Sequence, residues 1–180
     1  MLVAVAVFSI VMMVGVSTLL AMVDANRKAQ AIKSVMNNLN FALENMSRTI
    51  RTGTTYHCST SATPPASASV AQDCANGGLL LAFERQGGSS GNPNDQVMYR
   101  INSTTQQLER STNSGASFTA ITATEVDISD FKVYVVGSSG ADSLQPRVVI
   151  SVSGTAGVSE KVRTDFKVQT AVSQRFLDLE

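Results

Sequence analysis

The hydrophobic and polar positions divide the chain into parts of different periodicity. Residues 1–23 (MLVAVAVFSIVMMVGVSTLLAMV) hold no ionisable side chain, and the first charged residue is Asp24. A helix of roughly 20 apolar residues crosses a hydrocarbon core of ~30 Å. We therefore predict a membrane-spanning helix over residues 1–23. A cleaved secretory signal is the alternative, but the segment lacks a basic start and its apolar run is longer than such signals have.

The helical periodicity continues beyond this apolar segment. Between Asp24 and Thr52 there is no Pro or Gly, and apolar residues recur every three or four positions. This spacing places them on one stripe of an amphipathic helix. The stripe consists of Ile32, Val35, Met36, Leu39, Leu43, Met46 and Ile50, and Phe41 is an apolar exception on the polar face. Gly53 stands where a helix C-cap favours a residue free to take positive φ, so we predict that the helix extends over residues 24–53.

The rest of the chain, residues 54–180, predicts a β domain. Residues 54–78 are rich in Ser, Thr, Ala and Pro and predict a polar surface loop. Beyond them, apolar residues alternate with polar ones between turn clusters, as in half-buried strands. The predicted strands contain Leu79–Glu84; Val97, Tyr99 and Ile101; 106–110; Val126, Ile128, Phe131, Val133 and Val135; Val148, Ile150 and Val152; and Val162, Thr164, Phe166 and Val168. The alternation shifts at Ser129 and Asp130, which predicts a bulge or a bend, and residues 153–157 (SGTAG) predict a turn.

The order of these elements predicts their packing. Strands joined by short turns favour an antiparallel sheet, which has one apolar face to cover. The stripe from Ile32 to Ile50 is the available cover. We therefore predict an α+β fold, in which the amphipathic half of a long N-terminal helix packs on an antiparallel β-sheet.

Charge and composition narrow the possible functions. The 180 residues carry 14 basic and 14 acidic side chains, and this balance argues against a general nucleic-acid binder. A single histidine argues against His-rich metal sites and most His-dependent catalysis. We expect no catalytic residue, no cofactor and no nucleic-acid partner.

The two cysteines, Cys58 and Cys74, lie in the predicted loop at 54–78. A disulfide between them is the favoured interpretation, and it predicts an oxidising compartment outside the cytosol. Two free thiols, or a partial zinc site with His57, are the alternatives. A His57–Cys58 nucleophile pair is disfavoured because adjacent residues rarely place ring and sulfur in productive contact.

Three acidic residues, Glu125, Asp127 and Asp130, cluster near the predicted bulge. Oxygen ligands in a bend can hold calcium, so these residues are weak calcium candidates. Their density is below that of an EF-hand loop, and a solvated sheet edge is the main interpretation.

The order of elements resembles one family. The uncharged run at Leu2–Ile10, the helix that continues to about residue 52, and the following loop and antiparallel sheet are similar to type IV pilins and type II secretion pseudopilins. The phrases QLERST (Gln107–Thr112) and VQTAVSQR (Val168–Arg175) resemble minor members. The resemblance implies a structural filament subunit whose N-terminal helix packs beside those of other pilin or pseudopilin subunits. The implied membrane and filament contacts are Leu2, Val3, Val5, Val7, Phe8, Ile10, Val11, Val14, Gly15, Leu19 and Leu20.

The resemblance also implies an inner-membrane stage and a prepilin peptidase. Members of the family begin with a basic leader, a Gly at the cleavage site, an aromatic residue and a short stretch ending in Glu. The similarity here starts at Met1, where those residues would have ended, so we expect further residues upstream; a degenerate member is the alternative.

The expected location depends on the same upstream residues. Arg27, Lys28 and Lys33 follow the apolar run and would by themselves keep the β domain in the cytoplasm. A basic leader would reverse this balance, and the subunit would pass from the inner membrane into a periplasmic or cell-surface filament. The alternative function is a single-pass, membrane-anchored exported domain for binding or adhesion.

Overall fold

One long helix and eight strands make up the part of the chain that the computed structural model describes, residues 1–89, 92–140, 144–157 and 163–176. Helix α1 spans Leu2–Arg51. The strands are β1 (Thr54–Ser59), β2 (Leu80–Glu84), β3 (Val97–Ile101), β4 (Leu108–Ser111), β5 (Thr119–Ala120), β6 (Val126–Val136), β7 (Arg147–Ala156) and β8 (Thr164–Ser173). The predicted α+β class is confirmed.

Helix α1 runs without interruption through both predicted segments. Its 50 residues correspond to about 75 Å at 1.5 Å per residue. The C-terminal half carries the predicted stripe, of which Val35, Leu39, Leu43, Met46 and Ile50 are buried together with Ala42. Ile32 and Met36 are half-buried, and Phe41 is 73% exposed. Each buried large side chain contributes about 1.5–3 kcal/mol, so this stripe fixes the helix to the domain.

The helix end is more tightly held than the sequence indicates. The Tyr56 hydroxyl lies 2.7 Å from the Ile50 carbonyl oxygen and 2.9 Å from that of Gly53, and the Arg175 N–H donates to the Arg51 carbonyl at 2.8 Å. These contacts satisfy carbonyls that a helix C-terminus leaves without partners. Burial raises the pKa of Tyr56, so its hydroxyl remains a donor.

Gly53 has a different role from the predicted one. It does not adopt positive φ. A Cβ at this position would lie 2.9 Å from a ring carbon (Cε2) of Phe83 and 3.1 Å from the Glu84 carbonyl oxygen. Gly53 is therefore required for close packing of the helix end on β2, and the predicted C-cap role is wrong.

The β domain consists of two antiparallel sheets. The first has the order β1-β2-β3-β4-β5 and the second β6-β7-β8. Leu39 of α1, Phe83 of the first sheet and Phe131 of the second belong to one buried cluster. The helix thus covers the apolar faces of both sheets. Strand periodicity alone does not reveal that the strands are divided between two sheets.

A short segment, residues 72–78, connects the two sheets. On one side the Cys58 N–H donates to the Gln72 carbonyl at 3.0 Å, and a disulfide joins Cys58 to Cys74 across a Cα–Cα distance of 5.8 Å. On the other side the Gly78 N–H donates to the Val133 carbonyl of β6 at 2.7 Å. The Asp73 carboxylate accepts the N–H groups of residues 137 and 138 at 3.0 Å each. The segment therefore ties β1 to β6.

Residues 54–78 differ from the predicted polar loop in two ways. The segment begins with β1, and Ala68 is buried against Leu80, Ala82 and Met98 on the outer face of the first sheet. Met98, which lies between the predicted core positions Val97 and Tyr99, is therefore buried too. The segment therefore covers part of this face through Ala68.

The second sheet agrees with the predicted alternation. Val126, Ile128, Phe131, Val133 and Val135 are buried, and the β6–β7 register shifts between Ile128 and Asp130, which confirms the bulge. The predicted turn at residues 153–157 is wrong for its first four residues, because β7 continues to Ala156. Phe166 is buried and Val168 half-buried in β8, while Val162 lies outside the described residues.

Gly53→Ala tests the close packing at the helix end. The added methyl group would overlap the Phe83 ring, and overpacking of this kind costs about 1–3 kcal/mol. We expect thermal unfolding of the domain at a lower temperature. Gly15→Ala, where a Cβ meets nothing within 4 Å, is the matched control and should leave the transition unchanged. A Gly53→Ala variant as stable as the parent would contradict the packing role.

Reduction of the Cys58–Cys74 disulfide tests the connection between the sheets. The chain-entropy model assigns a loop of this size about 3 kcal/mol, so reduced protein should melt at a lower temperature than oxidised protein. The Cys58→Ser/Cys74→Ser double variant should melt like the reduced protein and should not respond to reductant. Equal melting of oxidised and reduced parent protein would refute a stabilising role.

Candidate functional site

The first half of helix α1 forms a surface that is apolar on every side and packs on nothing in the domain. All eleven residues expected to make membrane or filament contacts are exposed. The exposed fraction is 88% at Leu2, 60% at Val14 and 65% at Leu19. A helix that is hydrophobic all round is stable when lipid or other helices surround it. Residues 1–23 therefore form a surface that requires such surroundings.

The polar side chains of this segment are satisfied within the helix itself. Ser9 donates to the Val5 carbonyl at 2.9 Å, Ser17 to the Met13 carbonyl at 2.7 Å and Thr18 to the Val14 carbonyl at 2.8 Å. These bonds remove the hydroxyl donors from the helix surface. The segment is long and apolar enough to cross a membrane, with a mean hydropathy of 2.5 over an 18-residue window.

The domain end of the helix carries a smaller apolar feature. Exposed Phe41 and its neighbour Ala42 form a groove of about 260 Å³ with Asn45, Arg110 and Ile121. Phe41 breaks the helix pattern in the sequence, and the structure places it beside the first sheet rather than in the core.

The cysteine pair has no catalytic or metal-binding arrangement. Both sulfurs are in the disulfide, which excludes the alternatives of free thiols and a zinc site. His57 is buried in β1, and its Nδ1 lies 2.8 Å from the Val70 carbonyl oxygen. His57 therefore ties the covering loop to the sheet.

The three calcium candidates are not brought together. Asp127 forms an ion pair with Arg163, Asp130 is exposed beyond the bulge, and Glu125 lines a groove of about 450 Å³ with Arg27 of the helix. The described residues contain no group of three or more His, Cys, Asp or Glu side chains placed to hold a metal ion.

Two other carboxyl groups, those of Glu84 and Asp95, were not predicted from the sequence to interact. Glu84 is buried at the end of the apolar strand β2, and Asp95 lies eleven positions later, two residues before β3. Burial and the nearby Asp95 charge raise the pKa of Glu84, and the Arg85 charge lowers it in part. The signal available in the sequence is a carboxylate that directly follows the apolar run LLLAF.

The general shape of the protein, a long apolar N-terminal helix on antiparallel sheets, is pilin-like. Comparison of the chain with protein families, curated proteins and solved structures finds no match in any of the three.

Proposed function

We propose that the chain is a structural subunit, a minor pilin or pseudopilin, of a type IV pilus or type II secretion-like filament. The observation that carries this proposal is the exposed apolar helix from Leu2 to Val23, which holds no ionisable side chain and continues without a break into the domain. In this proposal the helix is held in the inner membrane first and then packs among the helices of other pilin or pseudopilin subunits. A prepilin peptidase would process the chain beforehand.

The rigid connection between the two helix halves supports assembly over simple anchoring. No Gly or Pro occurs between Asp24 and Thr52, and the buried stripe fixes the helix axis relative to both sheets. A subunit in an ordered filament needs this fixed orientation, because a rotation at the helix would displace its domain from that of its neighbour. A tethered binding domain needs only a flexible joint. This alternative therefore does not explain why helix α1 continues rigidly from the apolar segment into the domain.

Small residues on the apolar segment support close helix contacts. Ala4 and Gly15 are eleven residues apart, about three helical turns, and therefore share a face. Small side chains allow helix backbones to approach in an environment without water. A Cβ at Gly15 would meet nothing within the subunit, so this position has space for a neighbour.

The disulfide supports export of the domain. Pairs such as Cys58–Cys74 persist in oxidising compartments. The proposed location of the β domain is therefore the periplasm or the cell surface. We propose no catalytic role.

Val14→Arg tests assembly through the apolar helix. A charge in this segment is costly both in lipid and in a bundle of apolar helices, about 2.5–3.5 kcal/mol in the bilayer centre. The parent should appear in the sheared or detergent-extracted filament fraction, and the variant should be missing from it. Val70→Arg is the matched control, because Val70 is 70% exposed on the domain and should tolerate the charge.

Two outcomes would count against the proposal. Normal incorporation of Val14→Arg into filaments would show that the apolar segment is not the assembly element. Parent protein confined to the membrane fraction, with no copies in filaments, would favour the anchored-domain alternative.

A further inference from the structure

A surface groove lies where helix α1 leaves the domain toward its apolar half. One wall is the face of the helix that carries Arg27, Ser34 and Asn38, and the other wall is formed by Ala123 and Glu125, just before β6. Helical residues seven and four positions apart share a face, so the three helical side chains follow one line along the groove. The groove has a volume of about 450 Å³, and we call it the exit groove.

The two walls of the exit groove are joined by hydrogen bonds. The Ala123 N–H donates to Oδ1 of Asn38 at 2.9 Å, which ties the segment before β6 to the helix. The Val126 N–H donates to the Ala123 carbonyl at 3.1 Å, and the Gly157 N–H donates to the Glu125 carbonyl at 3.1 Å. The backbone that carries Glu125 is therefore fixed relative to helix α1.

The exit groove has one charged group on each wall. Arg27 is exposed on the helix, and Glu125 is exposed on the opposite wall. The three ion pairs formed within the described part of the chain involve neither of them. The groove therefore offers a positive and a negative group to a ligand that carries both charges.

The helix places the groove at the level of lipid headgroups. Arg27 follows Val23, the last residue of the apolar segment, by four positions, or about 6 Å at 1.5 Å per residue. A bilayer of ~40–45 Å has a hydrocarbon core of ~30 Å, which leaves a headgroup layer of about 5–7 Å on each side. When residues 1–23 span the bilayer, Arg27 therefore lies in that layer.

We propose that the exit groove binds the headgroup of phosphatidylethanolamine, with its phosphate on Arg27 and its ammonium on Glu125. The guanidinium group offers a planar fork of N–H donors that matches phosphate oxygens. A primary ammonium group donates hydrogen bonds to a carboxylate. The quaternary ammonium of phosphatidylcholine has no N–H to donate, and the headgroup of phosphatidylglycerol has no positive charge for Glu125.

This inference deepens the proposed function and rests on its membrane stage. A headgroup held between the helix and the segment before β6 would set the height of α1 in the bilayer before assembly. Extraction of the subunit into a filament would release the lipid. The interaction therefore belongs to the subunit in the membrane and not to the filament.

Native mass spectrometry of the full chain tests the lipid contact. The chain is placed in nanodiscs that contain equal amounts of phosphatidylethanolamine, phosphatidylcholine and phosphatidylglycerol, and is then released in a mild detergent. The spectra count both the lipids retained and the chains in each complex. The parent should retain one phosphatidylethanolamine per chain, with a preference of roughly fivefold over phosphatidylcholine, because exposed charge pairs contribute modestly.

Two variants separate the roles of the two charges. Glu125→Gln should abolish the preference for phosphatidylethanolamine over the other two lipids, and Arg27→Gln should reduce retention of all three. Both side chains are exposed, so the melting temperatures should equal that of the parent. Lys28→Gln is the matched control for Arg27→Gln, because it removes the same charge one position away and Lys28 does not line the groove. Asp130→Asn is the control for Glu125→Gln, and both controls should keep the preference.

The proposal is overturned if the parent retains phosphatidylethanolamine and phosphatidylcholine equally. It is also overturned if Arg27→Gln and Glu125→Gln behave like the parent, or if Lys28→Gln loses as much as Arg27→Gln. A dimer of the parent that both groove variants abolish would assign the groove to a second copy of the chain and would equally refute lipid binding.

These results leave the filament proposal standing, because Val14→Arg tests it separately. A parent chain that does not enter the nanodiscs would instead contradict the membrane stage, and both proposals would then fail.

Discussion

Burial of one stripe on helix α1 determines the arrangement of the rest of the molecule. Val35, Leu39, Leu43, Met46 and Ile50 belong to one buried cluster that contains side chains of both sheets. Because these side chains pack against both sheets, the helix axis is fixed relative to the whole domain. Residues 1–23 belong to the same continuous helix and project away from the domain, so the direction of the apolar segment is fixed as well. A large exposed apolar surface promotes aggregation of a soluble protein unless a partner or lipid covers it. Here the apolar surface is held in a defined orientation.

The helix and the second sheet could be predicted because local patterns decide them. The absence of Gly and Pro from Asp24 to Thr52 and the three-to-four-residue spacing specify the helix, and alternation on either side of residues 129–130 specifies β6. The bulge at Ser129 is indicated in the sequence because the apolar positions change there from even to odd residue numbers. In each case the apolar positions of a single helix or strand are the positions that are buried from solvent, so the pattern can be read within that element alone.

The features that were missed depend on contacts between elements distant in sequence. Gly53 is small because Phe83 occupies the space beside it, and Ala68 is buried because the loop folds back over Met98. Strand alternation does not indicate where one sheet ends and another begins, so the division after β5 was not predicted. The charge of Asp95 acts on Glu84, and this was not predicted for the same reason: ten residues lie between the two acids, which come near each other only after the strands pair.

The central claim is that α1 is one rigid rod that presents its apolar half in a fixed direction. Pulsed electron-spin distance measurement between labels at Met12→Cys and Asn40→Cys tests it most directly, since both positions are exposed and the native cysteines are in the disulfide. In detergent or bilayer, a continuous helix places the two backbone positions about 42 Å apart at 1.5 Å per residue. A rigid helix should give a single narrow distribution near that distance. A broad distribution, or one centred well below it, would show a joint in the helix and contradict the account.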